Sequence, residues 1–336
     1  MRVAIIGAGL QCRRRAPVVA RWPGAELVVI TSHDGHSATD IAREFGCESG
    51  TGWTDVVQRD DIDVVIVATP PDTHAPISHA SLISGKDVLC EKPLTRTVDE
   101  ARLLVATAES SGRVLKCGFN HRHHPAMQAA HQLFASGALG RPIFGRAVYG
   151  IGGRPGYERE WRADPSVAFG GQLGEQGIHA IDLFRWFMGD FTEVTGFVGA
   201  TYWPIAPLED NGFALMRTAG GAVASVHASL TQWRNTFSFE VYGEDGYIAV
   251  SGLGGSYGTE QLRVGRKDFD GPFAEEITDF RGADISWRDE WKEFATAIEQ
   301  HTPAMGDGRD GLAAMELVDA VYTSSRTGQT VRVAPA

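Results

Sequence analysis

Three ionisable side chains lie on one predicted helix whose other positions are almost all apolar. The segment 170–189 reads GGQLGEQGIHAIDLFRWFMG, and Glu175, His179 and Asp182 follow one another in it at intervals of four and three residues. At about 100° per residue these positions form one narrow stripe, and apolar side chains cover most of the remaining circumference. Such a helix is expected to be mostly buried, where ionisable groups are costly unless they are paired or act on a ligand. The pattern indicates either a catalytic site or a satisfied structural network.

The first 120 residues alternate between predicted strands and predicted helices. Strands are expected over 3–6, 26–30, 64–68, 87–90 and 114–117, with helices from residue 13 and over 37–45, 73–84 and 98–110. Strict strand and helix succession is typical of a parallel sheet with helices on both faces. This part of the chain is therefore predicted to be a doubly wound α/β domain.

The pattern changes after Pro125. A helix is expected over 126–136, ahead of the helix with the stripe. Segments with a period of two residues then indicate a large, mostly antiparallel sheet, with strands over 193–200, 212–218, 222–229, 236–242, 247–251 and 261–264. Helices over 287–300 and 309–325 and a strand over 330–333 follow. We place a domain boundary between 1–120 and 121–336, and leave open whether the last helix packs back on the first domain.

The composition argues against several functional classes. The chain has 336 residues, four cysteines and a formal net charge of −11, without a long run of like charge. That balance is not typical of proteins that bind nucleic acids or membrane surfaces. The cysteines have no paired spacing, so neither a disulfide framework nor a zinc site is expected, and no metal ligands are predicted. The first residues lack a signal-peptide pattern and no apolar run reaches the length of a membrane span, so we expect a cytoplasmic protein.

A glycine-rich turn follows the first predicted strand. Gly7 and Gly9 lie between that strand and the first helix, where a pyrophosphate can approach the backbone amides of a helix N-terminus. The third glycine of the usual motif is replaced by Cys12, which is small enough for strand and helix to pack closely. The turn predicts a dinucleotide site, and the alternative is a tight turn that binds no ligand.

The end of the second predicted strand bears on the choice between NAD and NADP. An acidic residue there would bind the ribose 2'-hydroxyl of NAD, but the expected position is Ser32. Without that carboxylate a 2'-phosphate is not repelled, and His33 with one of the arginines 13–15 would supply positive charge, so NADP is slightly favoured. The alternative is that Asp34 reaches the ribose while the arginines lie on a solvated helix turn.

A lysine follows the fourth predicted strand, in the sequence Glu91-Lys92-Pro93. Ligands of open α/β sheets bind at the carboxyl ends of the strands, and Pro93 stiffens the turn that carries the lysine. A lysine in a loop is usually only solvated. Together with the glycine-rich turn of the same sheet, however, Lys92 is a candidate catalytic residue.

These motifs together resemble the glucose-fructose oxidoreductase and inositol dehydrogenase family, Gfo/Idh/MocA. The resemblance covers nearly the whole chain and also includes 69–74, 118–122 and the Trp161-Arg162 pair. It implies a Rossmann domain followed by an α/β domain whose open sheet forms a homodimer or homotetramer. It also implies an NAD(P)-dependent oxidoreductase acting on a hydroxyl carbon of a sugar, sugar nucleotide or cyclitol. The cofactor is expected to contact Gly7, Gly9, Leu10, Gln11, Cys12, Ser32, His33, Thr69, Pro70, His74, Glu91 and Lys92.

The resemblance also implies catalytic roles. Lys92 stands at the family's catalytic lysine, His179 at its acid/base and Asp182 at a substrate-contacting position. Glu175 replaces the usual aspartate and is expected to orient His179, and Gln172 replaces a glycine. Whether His179 or Lys92 accepts the hydroxyl proton remains open. Substrate contacts are expected from Asn120, Arg122, Trp161 and Arg162, whereas His74, His121, His123 and His124 are interpreted as structural or exposed.

Three functions are compatible with these residues. The first is the oxidoreductase, and for a sugar nucleotide the pocket mouth would use Arg154, Arg159 and Arg162. The second is a glycoside hydrolase that holds NAD for transient oxidation. The third is a dinucleotide-binding regulator without catalysis, and the joint presence of Lys92, His179 and Asp182 argues against it.

Overall fold

The computed structural model describes residues 1–272 and 274–334. Within these ranges the chain divides into two compact units. The first unit contains residues 1–120 and 287–312, and the second contains the described residues of 121–286 and 313–334. The first segment ends at the predicted boundary, whereas 287–312 belongs to the first unit although it follows most of the second in the sequence.

Strands and helices are numbered in chain order. The strands are β1 (Arg2–Ile6), β2 (Glu26–Ser32), β3 (Glu48–Thr51), β4 (Val64–Val67), β5 (Asp87–Cys90), β6 (Leu115–Cys117), β7 (Pro142–Gly150), β8 (Phe191–Gly199), β9 (Asn211–Thr218), β10 (Val223–Ser229), β11 (Thr236–Gly243), β12 (Gly246–Ser251), β13 (Glu260–Arg266), β14 (Glu275–Phe280) and β15 (Val331–Arg332). The α-helices are α1 (Leu10–Ala20), α2 (His36–Phe45), α3 (Thr54–Val57), α4 (His74–Ile83), α5 (Val98–Ser111), α6 (Pro125–Ala135), α7 (Ile178–Met188), α8 (Ser286–Gln300) and α9 (Gly308–Thr327).

The first unit contains a six-stranded parallel sheet in the order β3-β2-β1-β4-β5-β6. The central strands are buried along their length, as expected when helices cover both faces. The predicted α/β fold class is confirmed. The edge strand β3 was not predicted, because its sequence Glu-Ser-Gly-Thr is polar and largely exposed and so carries no hydrophobic signal.

Helix α8 completes the core of the first unit. Its Trp291 and Phe294 are 1% and 0% exposed and pack in one cluster with Val3, Ile5 and Leu89. Burial of two large aromatic side chains is worth several kcal/mol, which accounts for the return of this segment to the first unit.

The second unit contains a nine-stranded sheet in the order β14-β13-β12-β11-β7-β10-β9-β8-β15. Neighbouring strands are antiparallel except for the parallel pair β7 and β10. Helix α7 packs on β7 and β10, and a side chain at Gly145 would collide with Phe184 of that helix. The central strand β7 was not predicted, because Ile143 and Phe144 are exposed and blur its alternation.

The opposite face of this sheet is open. Phe197, Phe213 and Leu215 are 71%, 48% and 55% exposed and lie on neighbouring strands β8 and β9. His227 on β10 stacks on Phe213 with ring centroids 4.1 Å apart. In the two described ranges, the structure contains no helix with the length and apolar character needed to cross a bilayer.

Candidate functional site

The glycine-rich turn between β1 and α1 has the geometry of a phosphate-binding loop. Gly7 has a φ of +104°, and an added Cβ would lie 2.5 Å from the Ala68 carbonyl oxygen, so only glycine fits. A Cβ on Gly9 would meet no protein atom within 4 Å. Gly9 caps α1 without a side-chain hydrogen bond, which leaves backbone N–H groups for an anion. The turn therefore fits the pyrophosphate of a dinucleotide.

The other predicted cofactor contacts near this turn differ in accessibility. Cys12 is completely buried and packs in the core of the first unit. It thus stands at the point of close contact between helix and strand where the usual motif has its third glycine. Leu10 is 60% exposed, and Gln11 is half-buried in the same helical turn. Burial raises the pKa of the Cys12 thiol to about 12, so this cysteine stays protonated.

The end of β2 carries an ordered carboxylate. Ser32 Oγ donates a hydrogen bond to Asp34 Oδ1 at 2.7 Å, and the Ser37 amide and hydroxyl donate at 3.1 and 2.9 Å. The hydrogen bond from Ser32, with those from Ser37, lowers the pKa of Asp34 to about 2. Asp34 and His33 are both exposed. A fixed, ionised carboxylate thus lies two residues beyond the usual acidic position.

The arginines 13–15 do not form one solvated group. Arg13 and Arg14 are exposed, but Arg15 is only 2% exposed. Its guanidinium lies 2.7 Å from Glu91 Oε1 and 2.8 Å from Glu290 Oε2 on α8. Burial lowers and the two carboxylates raise the pKa of Arg15, with a net increase. Arg15 is therefore committed to an internal network, and a contact with a 2'-phosphate would have to come from its neighbours.

The turn after β5 is held on both sides of Lys92. The Glu91 carboxylate is bound by Arg15, through Nε at 2.7 Å among other contacts. His74 Nδ1 lies 2.8 Å from the Pro93 carbonyl oxygen, and His74 Nε2 lies 2.8 Å from the Thr69 carbonyl oxygen. The side chains of Glu91 and His74 are thus both engaged within the protein. They contribute to the predicted cofactor site by fixing the loops around it. Lys92 itself is half-buried.

The segment with the stripe is not one uniform helix. Residues Leu173–Gly177 form a π-helical turn, and α7 begins at Ile178. His179 and Asp182 lie on α7 as predicted, whereas Glu175 lies in the wider π turn. Such turns occur frequently at functional sites. The uniform 100° spacing assumed from the sequence is therefore wrong at Glu175.

The glycines ahead of this helix make room for a buried carboxylate. Glu209 is 4% exposed and accepts hydrogen bonds from the Gly171 and Leu173 amides and from the Tyr322 hydroxyl, each at 2.9 Å. A side chain on Gly170 would collide with the Tyr322 hydroxyl, and one on Gly171 would collide with the Glu209 backbone. Burial raises the pKa of Glu209, although these hydrogen bonds act to lower it. The glycine pair is therefore required by the anchoring of the helix.

Asp182 and Arg122 form a buried ion pair. Arg122 Nε and Nη2 donate to the two Asp182 carboxylate oxygens at 2.9 and 2.6 Å. Asp182 is 0% exposed and Arg122 is 3% exposed. A two-pronged pair of this kind is strong and fixes orientation. The structure thus brings together two residues that the sequence assigned separately to substrate binding.

His179 lies in a cluster of aromatic side chains. Its ring stacks on His121, with centroids 3.8 Å apart and planes inclined by 19°. His121 Nε2 lies 3.1 Å from the Tyr149 hydroxyl, and the His124 ring meets His121 edge-on. His179, His121 and His124 are all at most 5% exposed. The expectation that His121 is merely structural or exposed misses its contact with the predicted acid/base.

Glu175 is bound by two side chains of the preceding loop. Arg162 Nε donates to it at 2.7 Å and the Tyr157 hydroxyl donates at 3.2 Å. The Arg162 guanidinium also lies over the Trp161 ring, 4.4 Å from its centroid. Burial raises the pKa of Tyr157, so its hydroxyl stays a donor. Trp161, Arg162 and Glu175 therefore form one group in the second unit, while Asn120 is buried at the end of the first.

The remaining arginines of this loop face carboxylates. Arg154 lies 2.6 Å from Glu160, and Arg159 lies 3.8 Å from Glu158. Arg162 is also 3.6 Å from Glu160. Positive charge in the loop is thus compensated locally.

Several contributors to these arrangements were not predicted. They are Glu209, Glu290, Tyr149, Tyr157 and Tyr322, together with the role of Arg15 as a partner of Glu91. Arg15 appears in the sequence as part of a short basic run, and Tyr157 lies four residues before Trp161 without a motif of its own. The others are distant in sequence from the residues that they contact. The available signal was indirect, since a buried carboxylate next to the candidate catalytic lysine requires a partner.

A glycine turn that fits a pyrophosphate, at the carboxyl edge of a parallel sheet, defines the first unit as a dinucleotide-binding unit. The model of the oxidoreductase family with an NAD-binding Rossmann fold matches residues 1–119, and that of the GFO/IDH/MocA C-terminal domain matches residues 127–249. The chain belongs to the GFO/IDH/MocA family and is an NAD(P)-dependent oxidoreductase.

Characterised relatives support this assignment. The levoglucosan dehydrogenase of Pseudarthrobacter phenanthrenivorans is 31% identical over 287 residues, which cover 75% of this chain and 73% of the relative. The dTDP-3,4-didehydro-2,6-dideoxy-alpha-D-glucose 3-reductase of Streptomyces antibioticus is 34% identical over 199 residues, or 59% of this chain and 60% of the relative. A solved levoglucosan dehydrogenase in complex with NADH and levoglucosan aligns with a TM-score of 0.91 and 27% identity, covering 99% of both chains.

Proposed function

We propose that the protein oxidises or reduces a hydroxyl-bearing carbon of an uncharged sugar or cyclitol with NAD(H). The observation that carries this proposal is the environment of His179. The two carboxylates of the same segment are bound by arginines, Glu175 by Arg162 and Asp182 by Arg122. An imidazole is the side chain that exchanges protons most readily at neutral pH, so His179 is the member of the stripe suited to act as acid and base.

His179 is proposed as the base in the oxidative direction. Its imidazole accepts the proton of the substrate hydroxyl and returns it in the reductive direction. Stacking on His121 holds the ring plane. Glu175 is proposed to orient the ring from the π turn, with its own position fixed by Arg162 and Tyr157. Asp182 is proposed to hold Arg122 in position, and not to bind the substrate by itself.

Lys92 is proposed to polarise the oxygen of the reacting carbon. An ammonium group stabilises the negative charge that develops on this oxygen when its proton leaves. Lys92 as the proton acceptor is the alternative, and it requires a lowered lysine pKa. Bound nicotinamide supplies the two-electron acceptor or donor.

A neutral substrate is supported by the charges of the loop 154–162. Recognition of a nucleotide diphosphate requires cations that are available to phosphate. Arg154, Arg159 and Arg162 each lie within 4 Å of a glutamate of the chain itself. We therefore expect Arg154→Ala and Arg159→Ala to leave kcat/KM for the sugar within about twofold of the wild type. Turnover of dTDP-sugars but not of free sugars would overturn this choice.

NAD(H) is proposed over NADP(H). Asp34 is ionised and held by Ser32 and Ser37, and Arg15 is engaged with Glu91 and Glu290. A fixed carboxylate accepts hydrogen bonds from ribose hydroxyls and repels a 2'-phosphate. We expect Asp34→Ser to shift the ratio of NADH to NADPH affinities at least about tenfold toward NADPH. Tighter binding of NADPH than of NADH by the unmodified protein would restore the preference for NADP favoured by the sequence.

A homodimer or homotetramer through the open sheet face is also proposed. Phe197, Phe213 and Leu215 form an exposed apolar patch of the kind that marks protein interfaces. Leu215→Glu should reduce the mass measured by light scattering, whereas Ile83→Glu, on an exposed helix end of the first unit, should not. An unmodified protein that is monomeric at micromolar concentration would overturn this proposal.

The catalytic proposal is tested by Lys92→Ala. Turnover should fall by about 10²-fold or more while NADH still binds, as judged by fluorescence titration. Lys267→Ala, which removes an exposed lysine paired with Asp245, is the matched control. A screen of polyols, anhydrosugars and dTDP-sugars identifies the substrate, and full activity of the Lys92 variant would reject the proposed mechanism.

A further inference from the structure

The residues on either side of Lys92 are bound by side chains of the two helices that follow the neighbouring βα loops. The strands β1, β4 and β5 are adjacent in the parallel sheet, so the loops that follow them share one edge. Arg15 lies on the helix that follows the β1 loop, and His74 begins the helix that follows the β4 loop. Arg15 binds Glu91, and His74 binds Pro93.

We infer that Arg15 and His74 are positioning residues for Lys92, which fix the catalytic lysine relative to the loops that hold the cofactor. This inference rests on the proposed role of Lys92. Neither side chain is free to act on a ligand. Arg15 is 2% exposed between two carboxylates, and His74 is 1% exposed between two carbonyl oxygens.

His74 links two loops through a single ring. Its two nitrogens lie 2.8 Å from the carbonyl oxygens of Thr69 and Pro93, which belong to different βα loops. A neutral ring donates to one of these carbonyls, and a protonated ring donates to both. The Thr73 hydroxyl donates to the Pro70 carbonyl at 2.9 Å, so the loop that His74 holds is itself ordered. Movement of either loop therefore strains the contact to the other.

Arg15 provides the second link. Its guanidinium is rigid and planar, and it joins Glu91 to Glu290 of α8. A Cβ added to Gly118 would lie 3.0 Å from Glu91 Oε2 and 3.2 Å from Arg15 Nη2. The backbone that follows β6 therefore also packs closely against this pair. The backbone of Glu91 is fixed as well, since its amide donates to the Val67 carbonyl at 2.9 Å. Glu91 is thereby held through both main chain and side chain.

The functional consequence concerns a long, flexible side chain. Lysine has four rotatable carbon bonds, so the position of its ammonium depends on the backbone from which it starts. A displacement of about 1 Å at a reacting group can cost about 10²-fold in rate. Two links on adjacent residues therefore constrain the lysine more than one link would.

The test uses two variants with matched controls on the same helices. Arg15→Met and His74→Gln remove the links. The controls are Arg21→Met, at the exposed C-terminal cap of the helix that carries Arg15, and His79→Gln, at a half-buried position of the helix that carries His74. The measurements are kcat, KM for the cofactor, the primary deuterium isotope effect with deuterated NADH, and the melting temperature. Arg15→Lys, which keeps the charge without the planar fork, should lie between wild type and Arg15→Met.

We expect kcat to fall about tenfold or more in Arg15→Met and His74→Gln, with an increased isotope effect on kcat, because a misplaced lysine slows the chemical step. The control variants should stay within about twofold of wild type. If Arg15→Met does not fold, Glu91→Gln tests the same link with less perturbation and should show the same isotope effect in smaller degree.

A lower melting temperature with unchanged kcat and isotope effect would overturn the inference and leave the links purely structural. Failure of the proposed function is distinguished by Lys92→Ala. If that variant is fully active while Arg15→Met and His74→Gln are slow, then the two residues do not act through Lys92, and the inference is overturned for a different reason.

Discussion

Each unit contains a buried arginine next to a proposed catalytic residue, but the two units use it differently. In the first unit Arg15 joins carboxylates from a loop and from α8, and Lys92, the proposed reacting side chain, is a separate residue of that loop. In the second unit Arg122 binds Asp182, which lies on the same helix as His179. The first unit separates the holding of the site from its chemistry, whereas the second combines them on α7. A change at Arg15 should therefore reach the chemistry indirectly, through the position of Lys92, whereas a change at Asp182 acts on the helix that carries His179 itself.

The largest effect is expected from Asp182→Ala. Removing this carboxylate leaves the buried Arg122 guanidinium with its main ionic partner gone, which costs about 3–5 kcal/mol of the free energy of unfolding. Urea unfolding followed by circular dichroism measures it. Glu193→Ala, which breaks the exposed pair with Arg217 in the same unit, is the control and should cost about 0–1 kcal/mol. Similar losses of unfolding free energy in the two variants would show that the buried pair stabilises the fold no more than the exposed pair does.

A smaller effect, on activity, is expected from His121→Phe. Phenylalanine retains a ring to stack on His179 but loses the contact of Nε2 with the Tyr149 hydroxyl. We expect kcat to fall about tenfold with little change in KM, because the orientation of His179 is less well fixed. His131→Phe, in a comparable stack on Trp186, is the control. Tyr149→Phe should act through the same contact, so additive losses in the double variant would contradict this explanation.

The smallest effect on stability is expected from Glu290→Gln in the first unit. Arg15 keeps Glu91 as a partner in this variant, so the loss should be about 1 kcal/mol or less. Burial raises the pKa of Glu290. Its contribution to the free energy of unfolding is therefore present at low pH and is lost as the pH rises through the folded-state pKa. The glutamine variant should thus gain stability relative to wild type as the pH rises above the ordinary glutamate range. An opposite slope in pH-dependent thermal melts would mean that Glu290 is stabilised as an anion.

The sequence contained enough information for the parallel sheet and for the motifs. Regular alternation of strand and helix determines a parallel sheet because few other connections are sterically possible. Gly7 was informative because its positive φ and its close approach to the Ala68 carbonyl admit only glycine. Local physics is sufficient for these features.

The remainder depends on contacts between distant residues. The partners Arg122 and Asp182 are 60 residues apart, and Arg15 and Glu91 are 76 apart. Their pairing follows from how elements pack, for which a single sequence gives no direct signal. The π turn at Leu173–Gly177 is a similar case, because the Gly171 and Leu173 amides at its start are bound by Glu209, which is more than 30 residues away in the sequence. The spacing of the stripe could not indicate it.

The position of α8 has a consequence for the order in which the protein is made. Trp291, Phe294 and Glu290 belong to the core and the charge network of the first unit, yet they follow the large sheet in the chain. A ribosome therefore completes most of the second unit before the cofactor-binding unit has all its parts. A fragment of residues 1–120 would expose Val3, Ile5 and Leu89 and would leave Arg15 with one carboxylate instead of two. The dinucleotide-binding unit is thus not a portable module, and its excision would need α8 to be joined to it.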